Sequence, residues 1–332
     1  MAAITLAPLL LLLVFLAVPA HSWRPKPNNT KPNSADSLYG GSKKYEGSSK
    51  LVKLKYHMGP VLSLNVTVHP IWYGNWAENK KSIIRDFIRS ISDTKSKPPS
   101  VAAWWKTVRL YTNKTGAHVT GSVTLGADIN DSTYSHGKNL TRLSVPKVIK
   151  SALPGAIDAP GNVYLLLTSD DVYVQDFCSS ACGFHNHYPF GLHALPYAWV
   201  GNSAKMCPEM CAYPFAVPSY MNGSVKPVKA PNGVVGVDGM ITVIAHELAE
   251  MATNPFSDAW FAGHADFPVE IGDLCESIFG TGGGGSYMGN LTTDKDGATY
   301  NLNGAVGRRF LVQWLWSKEL NYCTGPNALD HN

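Results

Sequence analysis

Apolar positions along the chain recur at two spacings, one typical of strands and one typical of helices. Residues 62–68 alternate apolar and polar side chains, which predicts a half-buried strand, whereas residues 83–91 repeat apolar side chains at helical spacing. The same patterns predict further strands over 118–125, 162–168 and 310–316 and further helices over 100–111, 145–152, 239–253 and 270–279. Strands that alternate with helices favour an α/β or α+β fold, here one large domain with a mixed sheet.

Residues 177–232 interrupt this pattern, because they contain four cysteines, many prolines and few periodic apolar positions. We interpret this segment as a loop-rich section stapled by disulfide bonds, since an even number of cysteines is typical of secreted chains. Its two C-x₃-C pairs would alternatively provide four thiolates for a zinc ion. The cysteines of the whole chain are Cys178, Cys182, Cys207, Cys211, Cys275 and Cys323.

The N-terminal residues 1–22 have the composition of a secretory signal peptide. They contain no Asp, Glu, Lys or Arg, residues 4–18 are almost wholly apolar, and small residues near Ala20 provide a cleavage site. This apolar run is shorter than the roughly 20 residues that a membrane-spanning helix needs, so we expect a secreted protein without a membrane span. N-glycosylation is expected at some of the N-x-[ST] sequons, which begin at Asn28, Asn65, Asn113, Asn130, Asn139, Asn222 and Asn290.

The net charge of the chain is concentrated in the segment that follows the signal. The 332 residues are 45% hydrophobic and 16% charged, so a folded core is expected. The net charge of +4 resides entirely in residues 23–50, and a charge this small gives no indication of nucleic-acid binding. Residues 23–50 are rich in Pro, Asn, Ser, Gly and Lys, which predicts a flexible basic arm. The arm is either a solvated leader or a contact for acidic polysaccharide.

The strongest candidate for chemistry is His246-Glu247-Leu248-Ala249-Glu250, within the helix predicted over 239–253. At about 100° per residue, His246 and Glu250 share one helical face and can bind one metal ion, while the opposite face packs on the core. The motif is close to the H-E-x-x-H of zinc peptidases and departs from it at Glu250. Glu247 would flank a metal-bound water, the position of a general base.

Further metal ligands are expected from the helix predicted over 270–279, which would complete a zincin-like helix pair. Glu270 and Asp273 lie at a suitable separation from the motif. The predicted metal ligands are therefore His246, Glu250, Glu270 and Asp273. His264 and Asp266, in the intervening segment, are weaker candidates.

A histidine-rich stretch inside the cysteine-rich section is another source of ligands. It contains His185 and His187, with His193 close by. These histidines could contribute ligands, but we interpret them as structural or exposed, because loop histidines between cysteines more often have those roles. They stay outside the predicted ligand set.

The donor types limit what the metal can do. One histidine and two glutamates make a neutral first shell, which acidifies a bound water less than a histidine-rich shell does. Oxygen-rich ligation also weakens the preference for zinc over manganese or calcium, so zinc is expected with the other two ions as alternatives. A metal site is therefore better supported than an efficient peptidase.

Three functions are compatible with these features. The first is a non-catalytic extracellular protein that binds a wall component or a cell-surface partner. The second is a zinc-dependent, peptidase-like hydrolase in which Glu247 activates water. The third is a carbohydrate-binding module that uses exposed aromatic side chains, such as those of Trp72-Tyr73 and Trp104-Trp105, although core packing is the commoner use of such clusters.

Several segments between residues 55 and 323 resemble a known family. They include Pro70-Ile71-Trp72-Tyr73-Gly74, Asp176-Phe177-Cys178, Trp199-Val200-Gly201-Asn202, Cys207-Pro208, Ala230-Pro231-Asn232-Gly233, Gly236-Val237-Asp238-Gly239-Met240, Thr253-Asn254-Pro255, Tyr300-Asn301-Leu302-Asn303-Gly304 and Gly307-Arg308-Arg309-Phe310-Leu311. The EXORDIUM-like proteins of plants, also called the phosphate-induced protein family, contain similar sequences in the same order. The resemblance implies a globular domain over residues 51–326 that is secreted to the apoplast or cell wall, with a role in cell expansion and in growth responses to brassinosteroid, nutrient and carbon status. It implies no reaction and no metal ligand.

Overall fold

The computed structural model describes residues 53–153, 160–190, 193–221, 225–284 and 287–329. The predicted signal peptide and basic arm lie outside these residues. Within them the α-helices are α1 (Glu78–Ser90), α2 (Val101–Val108), α3 (Val145–Ala152), α4 (Pro208–Cys211) and α5 (Val235–Thr253). No helix among the described residues is long and apolar enough to cross a membrane.

The strands are short except for those at the centre of the molecule. The first nine are β1 (Lys55–Tyr56), β2 (Val66–Tyr73), β3 (Val123–Leu125), β4 (Ile129–Asp131), β5 (Asn139–Leu140), β6 (Asn162–Thr168), β7 (Tyr173–Val174), β8 (Gly183–Phe190) and β9 (His193–Gly201). The others are β10 (Trp260–His264), β11 (Phe267–Val269), β12 (Thr292–Thr293), β13 (Thr299–Tyr300), β14 (Leu302–Asn303), β15 (Arg309–Phe310), β16 (Leu315–Ser317) and β17 (Tyr322–Thr324).

A six-stranded mixed sheet organises the fold. Its order is β3-β2-β6-β9-β8, and β4 continues the edge that β3 begins beside β2. All pairs are parallel except β8 with β9, where the edge strand β8 runs antiparallel. The central strand β6 is buried along nearly its whole length, as its run of apolar residues predicts. The predicted mixed sheet and α+β architecture are therefore confirmed.

Helices cover the sheet and connect its parallel strands. α1 and α2 link β2 to β3, and α3 links β4 to β6, as expected where parallel strands need crossover connections. α5 contacts both β8 and β9, and α1 contacts β3 and α5. The longest helix thus lies against the antiparallel edge of the sheet, where it brings its side chains close to those of β8.

The cysteine-rich section contains two long strands, so the prediction that it is loop-rich is wrong for its middle. β8 pairs with β9 along its whole length, from Gly183 opposite Val200 to Phe190 opposite His193. Pro196 lies opposite His187. Prolines conceal this hairpin in the sequence, because they usually mark strand ends and loops. Pro196 is tolerated because the pairing of β9 with β6 begins only at Tyr197.

Other predicted elements also differ from the structure. The strands expected over 62–68 and 118–125 are observed as β2 (Val66–Tyr73) and β3 (Val123–Leu125). The helix expected over 270–279 is a single 3₁₀ turn, Asp273–Cys275, and Ser277 has a left-handed φ of 62° that an α-helix does not accommodate. No zincin-like helix pair is therefore formed. The strand expected over 310–316 is divided between β15 and β16, and both of its faces are buried.

All six cysteines form disulfide bonds, which confirms the preference for disulfides over a zinc site. The bonds Cys178–Cys207 and Cys182–Cys211 join the start of β8 to the α4 segment that precedes α5. The third bond, Cys275–Cys323, joins the 3₁₀ turn to β17. Each bond therefore anchors a segment that lies next to α5 or to the turn after it.

The aromatic clusters considered for sugar binding are part of the core. Trp72, Tyr73, Trp104 and Trp105 are each at most 3% exposed. The indole of Trp104 donates to the carbonyl of Gln313 at 2.9 Å, and that of Trp105 donates to the carbonyl of Thr120 at 2.8 Å. These rings are unavailable for stacking on a saccharide, as their interpretation as core residues predicts.

Candidate metal centre

Helix α5 places three of the predicted residues together in the interior. The helix is buried on nearly every face, because the sheet, α1, α2 and α4 surround it. Glu247 and Glu250 are buried, and the side chain of His246 is 13% exposed. Nε2 of His246 lies 3.1 Å from Oε1 of Glu250, one helical turn away. The His246–Glu250 pair expected from the spacing is therefore formed.

The segment after β11 contributes two more carboxylates. Oε1 of Glu250 accepts the backbone N–H groups of Gly272 and Asp273, each at 3.2 Å, which fixes this segment against the helix. Oδ1 of Asp273 lies 3.6 Å from Nε2 of His246. Glu270 and Asp273 therefore lie beside His246 and Glu250, as the sequence predicts, but on a turn and not on a helix.

Glu270 is oriented by its own set of partners. Its Oε1 accepts a hydrogen bond of 2.7 Å from the side-chain amide of Asn254, the residue that follows α5. Its backbone N–H donates to Oδ2 of Asp273 at 2.9 Å. Hydrogen bonds of this kind orient metal ligands in proteins. The other carboxylate oxygen of Glu270, Oε2, faces the centre of the cluster, where it lies 3.4 Å from Nε2 of His185.

Strand β8 supplies a histidine that the sequence argument left out of the ligand set. His185 is 9% exposed, with Nε2 at 3.4 Å from Oε2 of Glu270. Its Nδ1 lies 3.3 Å from Oε2 of Glu247 and 3.6 Å from Oε2 of Glu250. The one available signal was the alternation of His185 and His187 in an extended segment, which the prolines and cysteines around it obscured.

Two glycines allow these elements to approach one another. A Cβ on Gly183 of β8 would come within 2.7 Å of Val243 and 3.0 Å of Oε1 of Glu247. A Cβ on Gly272 would come within 2.7 Å of Nδ1 of His246. Glycine at these positions permits close contact between backbone and a neighbouring element. Because Gly183 and Gly272 have no side chains, β8 and the turn after β11 can lie this close to α5.

The electrostatics of the cluster favour the uptake of positive charge. Burial opposes protonation of His185, yet the carboxylates of Glu270, Glu247 and Glu250 raise its pKa well above the ordinary value. Burial likewise opposes protonation of His246, whose pKa Glu250 and Asp273 raise. Burial and the negative charges of Asp273 and Glu270 raise the pKa of Glu250. Buried carboxylates in mutual contact need positive charge, from protons or from a metal ion.

The geometry brings together the donor atoms that metal ions use. His185, Glu250 and Glu270 form one group whose ligand atoms lie within 4.8 Å of one another, and His246, Glu250 and Asp273 form a second. Imidazole nitrogens with carboxylate oxygens suit zinc or manganese. All four predicted ligands belong to these two groups, and Glu247 lies beside them.

The other residues considered as ligands lie elsewhere. His264 and Asp266 are on the exposed hairpin β10–β11, where their side chains are 78% and 77% exposed and pair with each other. His187 packs edge-on against Phe256, with ring centroids 5.6 Å apart. The side chain of His193 is outside the described residues.

Comparison with known proteins assigns the chain to a family. The model of the phosphate-induced protein 1 conserved region matches residues 54–326. The chain belongs to this family, that of the EXORDIUM-like proteins. It is 60% identical over 331 residues to Protein EXORDIUM-like 3 of Arabidopsis thaliana, covering 97% of both chains. No solved structure matches the chain.

More distant members of the EXORDIUM-like family match most of the chain as well. Protein EXORDIUM of Arabidopsis thaliana is 38% identical over 286 residues, which cover 82% of this chain and 88% of the relative. Protein PHOSPHATE-INDUCED 1 of Nicotiana tabacum is 37% identical over 279 residues, which cover 82% of this chain and 87% of the relative. The family resemblance seen in the sequence motifs is therefore confirmed. The names of these three relatives describe no reaction and no ligand.

Proposed function

We propose that this EXORDIUM-like protein is an extracellular protein with a divalent metal ion bound between α5, β8 and the turn after β11. The observation that supports the proposal is the convergence of His185, His246, Glu250, Glu270 and Asp273 on one cluster that is buried except at Asp273. Among the described residues, no Lys or Arg forms an ion pair with these carboxylates; their ion pairs are with the two histidines. A divalent cation, zinc before manganese or calcium, would supply the positive charge that these carboxylates need, in place of protons on the two histidines.

Disulfide bonds and exposed N-glycosylation sequons support the extracellular location. All six cysteines are paired, which is typical of secreted proteins. Four sequon asparagines have exposed side chains that a glycan can reach: Asn65, Asn130, Asn139 and Asn290. Asn113 is half-buried, and Asn28 and Asn222 lie outside the described residues.

Metal binding is tested on the full chain purified from a secretory host. Equilibrium dialysis against Zn²⁺ compares the unaltered protein with His246→Ala and Glu250→Ala. Each variant should weaken binding by about 100-fold or more, since each removes a ligand and not merely a residue that orients one. His264→Ala is the matched control, because this histidine is exposed and distant from the cluster. Equal binding by all four proteins would refute the site.

We further propose that the protein acts in cell expansion and growth responses by binding a wall component or a cell-surface partner. The concentration of positive charge in residues 23–50 favours an acidic polysaccharide as the wall component. Retention on pectin is the test. Replacing the basic residues of the arm by glutamine in the full chain should remove most retention at low salt; the residues are Arg24, Lys26, Lys31, Lys43, Lys44 and Lys50. Unchanged retention would show that residues 23–50 do not bind pectin.

The hydrolase alternative has less support than metal binding. Oε2 of Glu247 already faces Nδ1 of His185 at 3.3 Å, and a centre with so many carboxylates acidifies a bound water poorly. A peptide-library assay with Glu247→Gln, which preserves side-chain size, distinguishes the two functions. A hydrolase requires activity in the unaltered protein that this variant lacks while it still binds metal.

A further inference from the structure

Glu250 lies between two histidines that belong to different elements. Its Oε2 is 3.6 Å from Nδ1 of His185 on β8, and its Oε1 is 3.1 Å from Nε2 of His246 on its own helix. Each histidine also faces a carboxylate of its own, Glu270 for His185 and Asp273 for His246. The cluster is therefore two groups that share one carboxylate.

Each group has the size and the donors of a separate metal site. The ligand atoms of His185, Glu250 and Glu270 lie within 4.8 Å of one another, as do those of His246, Glu250 and Asp273. Donors bound to one zinc ion at about 2.0–2.2 Å lie about 3.4 Å apart when tetrahedral, so only small side-chain movements would close each group on an ion. A carboxylate whose two oxygens point to different sites is suited to bridge two ions.

The charge of the cluster matches two ions better than one. Glu247, Glu250, Glu270 and Asp273 supply four negative charges when ionised, and a histidine that ligates a metal is neutral. One divalent ion with both histidines neutral would leave two negative charges uncompensated, and a proton on the histidine outside that ion would still leave one, among residues that are mostly buried, which is unfavourable. Two divalent ions make the cluster neutral.

We propose that the centre binds two divalent cations of the zinc or manganese class, bridged by Glu250. The proposal rests on the metal site proposed above and extends it from one ion to a pair. His185 and Glu270 bind the inner ion, beside Glu247, and His246 and Asp273 bind the outer one. In proteins with such pairs the ions are about 3.5–4 Å apart.

The two ions occupy unequal surroundings. At the inner position the side chains of His185 and Glu270 are 9% and 4% exposed. At the outer position those of His246 and Asp273 are 13% and 42% exposed. Solvent and chelators therefore reach the outer ion first, and the two ions should leave the protein in sequence.

Manganese is the probe for the test, because two neighbouring Mn²⁺ ions couple magnetically. The full chain, disulfides intact, is loaded with Mn²⁺ and examined by native mass spectrometry and electron paramagnetic resonance. We expect two ions per chain and a spin-coupled spectrum. Asp273→Asn should retain one ion with the spectrum of isolated Mn²⁺, and Glu250→Ala should lose both. Asp266→Asn, an exposed carboxylate variant, is the control and should behave as the unaltered protein.

The outcomes separate this proposal from the one on which it rests. One ion per chain with the spectrum of isolated Mn²⁺ overturns the pair and leaves the single site. Two ions without coupling also overturn it, because they place the second ion elsewhere. No bound ion in a folded chain overturns both proposals. Circular dichroism of every variant confirms that a lost ion reflects a lost ligand and not unfolding.

Discussion

The backbone of Gly272 lies directly against the imidazole of His246, so that a Cβ at residue 272 would come within 2.7 Å of Nδ1. The same glycine donates its N–H to Glu250, the next ligand along the helix. Gly272, in the turn after β11, therefore determines how closely this turn packs against α5 and how His246 and Glu250 are oriented.

Gly272→Ala should weaken Zn²⁺ binding at least about tenfold, because displacement of an oriented ligand has effects of this size. The added methyl group must push the His246 ring or the turn away. Isothermal titration measures the change. Gly121→Ala is the matched control, since the atoms nearest to its Cβ would be those of the Arg109 guanidinium, the far end of a flexible side chain. If Gly272→Ala leaves the zinc affinity unchanged, the position of His246 beside Gly272 is not required for metal binding.

Asn254→Asp should destabilise the metal-free protein by about 2 kcal/mol, because it replaces a buried donor to Glu270 with a second carboxylate. The substitution retains the oxygen that accepts the N–H of Ala259, so the turn after α5 keeps its other bond. Chemical denaturation in the presence of chelator gives the free energy of unfolding. An unchanged value would mean that Asn254 does not support Glu270.

The disulfide Cys275–Cys323 should contribute about 3–4 kcal/mol to stability, because it closes a long loop in the unfolded chain. It also fixes the turn that contains Asp273. The double variant Cys275→Ala/Cys323→Ala should therefore unfold at lower denaturant concentration and bind the outer ion more weakly than the inner one. Equal weakening of both ions would indicate that the bond stabilises the whole domain and not this turn.

The stability of the protein should decrease between pH 4 and pH 6 through Asp238, near the start of α5. Burial raises the pKa of Asp238 to about 6, against hydrogen bonds from Asn232 and Val234 that lower it. Because this pKa is higher in the folded than in the unfolded chain, the folded state binds the proton more tightly. The stabilisation is complete below the unfolded pKa of 3.8 and is lost as the pH rises through about 6.

Comparison with Asp238→Asn isolates this residue, because both proteins contain the same metal ligands. The free energy of unfolding of the unaltered protein, relative to that of the variant, should fall by about 2 kcal/mol between pH 4 and pH 7. Chemical denaturation at both pH values gives the difference. A difference that is constant with pH would contradict the raised pKa.

The parts of the fold that local pattern determines were predictable. The apolar run of β6 and the helical spacing in α1, α3 and α5 all appear where the sequence indicates them. The β8–β9 hairpin did not follow from local pattern, because Pro189 and Pro196 are strand-breaking residues. Pro189 is tolerated in the edge strand β8, and Pro196 precedes the part of β9 that pairs with β6. Only the sheet context makes this segment a strand.

The candidate site was predictable to the extent that its ligands follow one another on a helix. The i, i+4 spacing indicates His246 and Glu250 directly, and the acidic residues after β11 lie close enough in sequence to be considered. His185 is 61 residues before His246. Its approach to Glu247 and Glu270 depends on the pairing of β8 and on the missing side chain of Gly183. Contacts of this kind arise from tertiary structure alone.

The metal content of the protein as secreted tests the central claim most directly. Elemental mass spectrometry is applied to the full chain purified without chelator, beside Glu250→Ala and the exposed-histidine control His264→Ala. The account predicts at least one tightly bound zinc or manganese ion per chain in the unaltered protein and the control, and none in Glu250→Ala. Absence of metal from the unaltered protein, even after purification with added zinc and manganese, would contradict it.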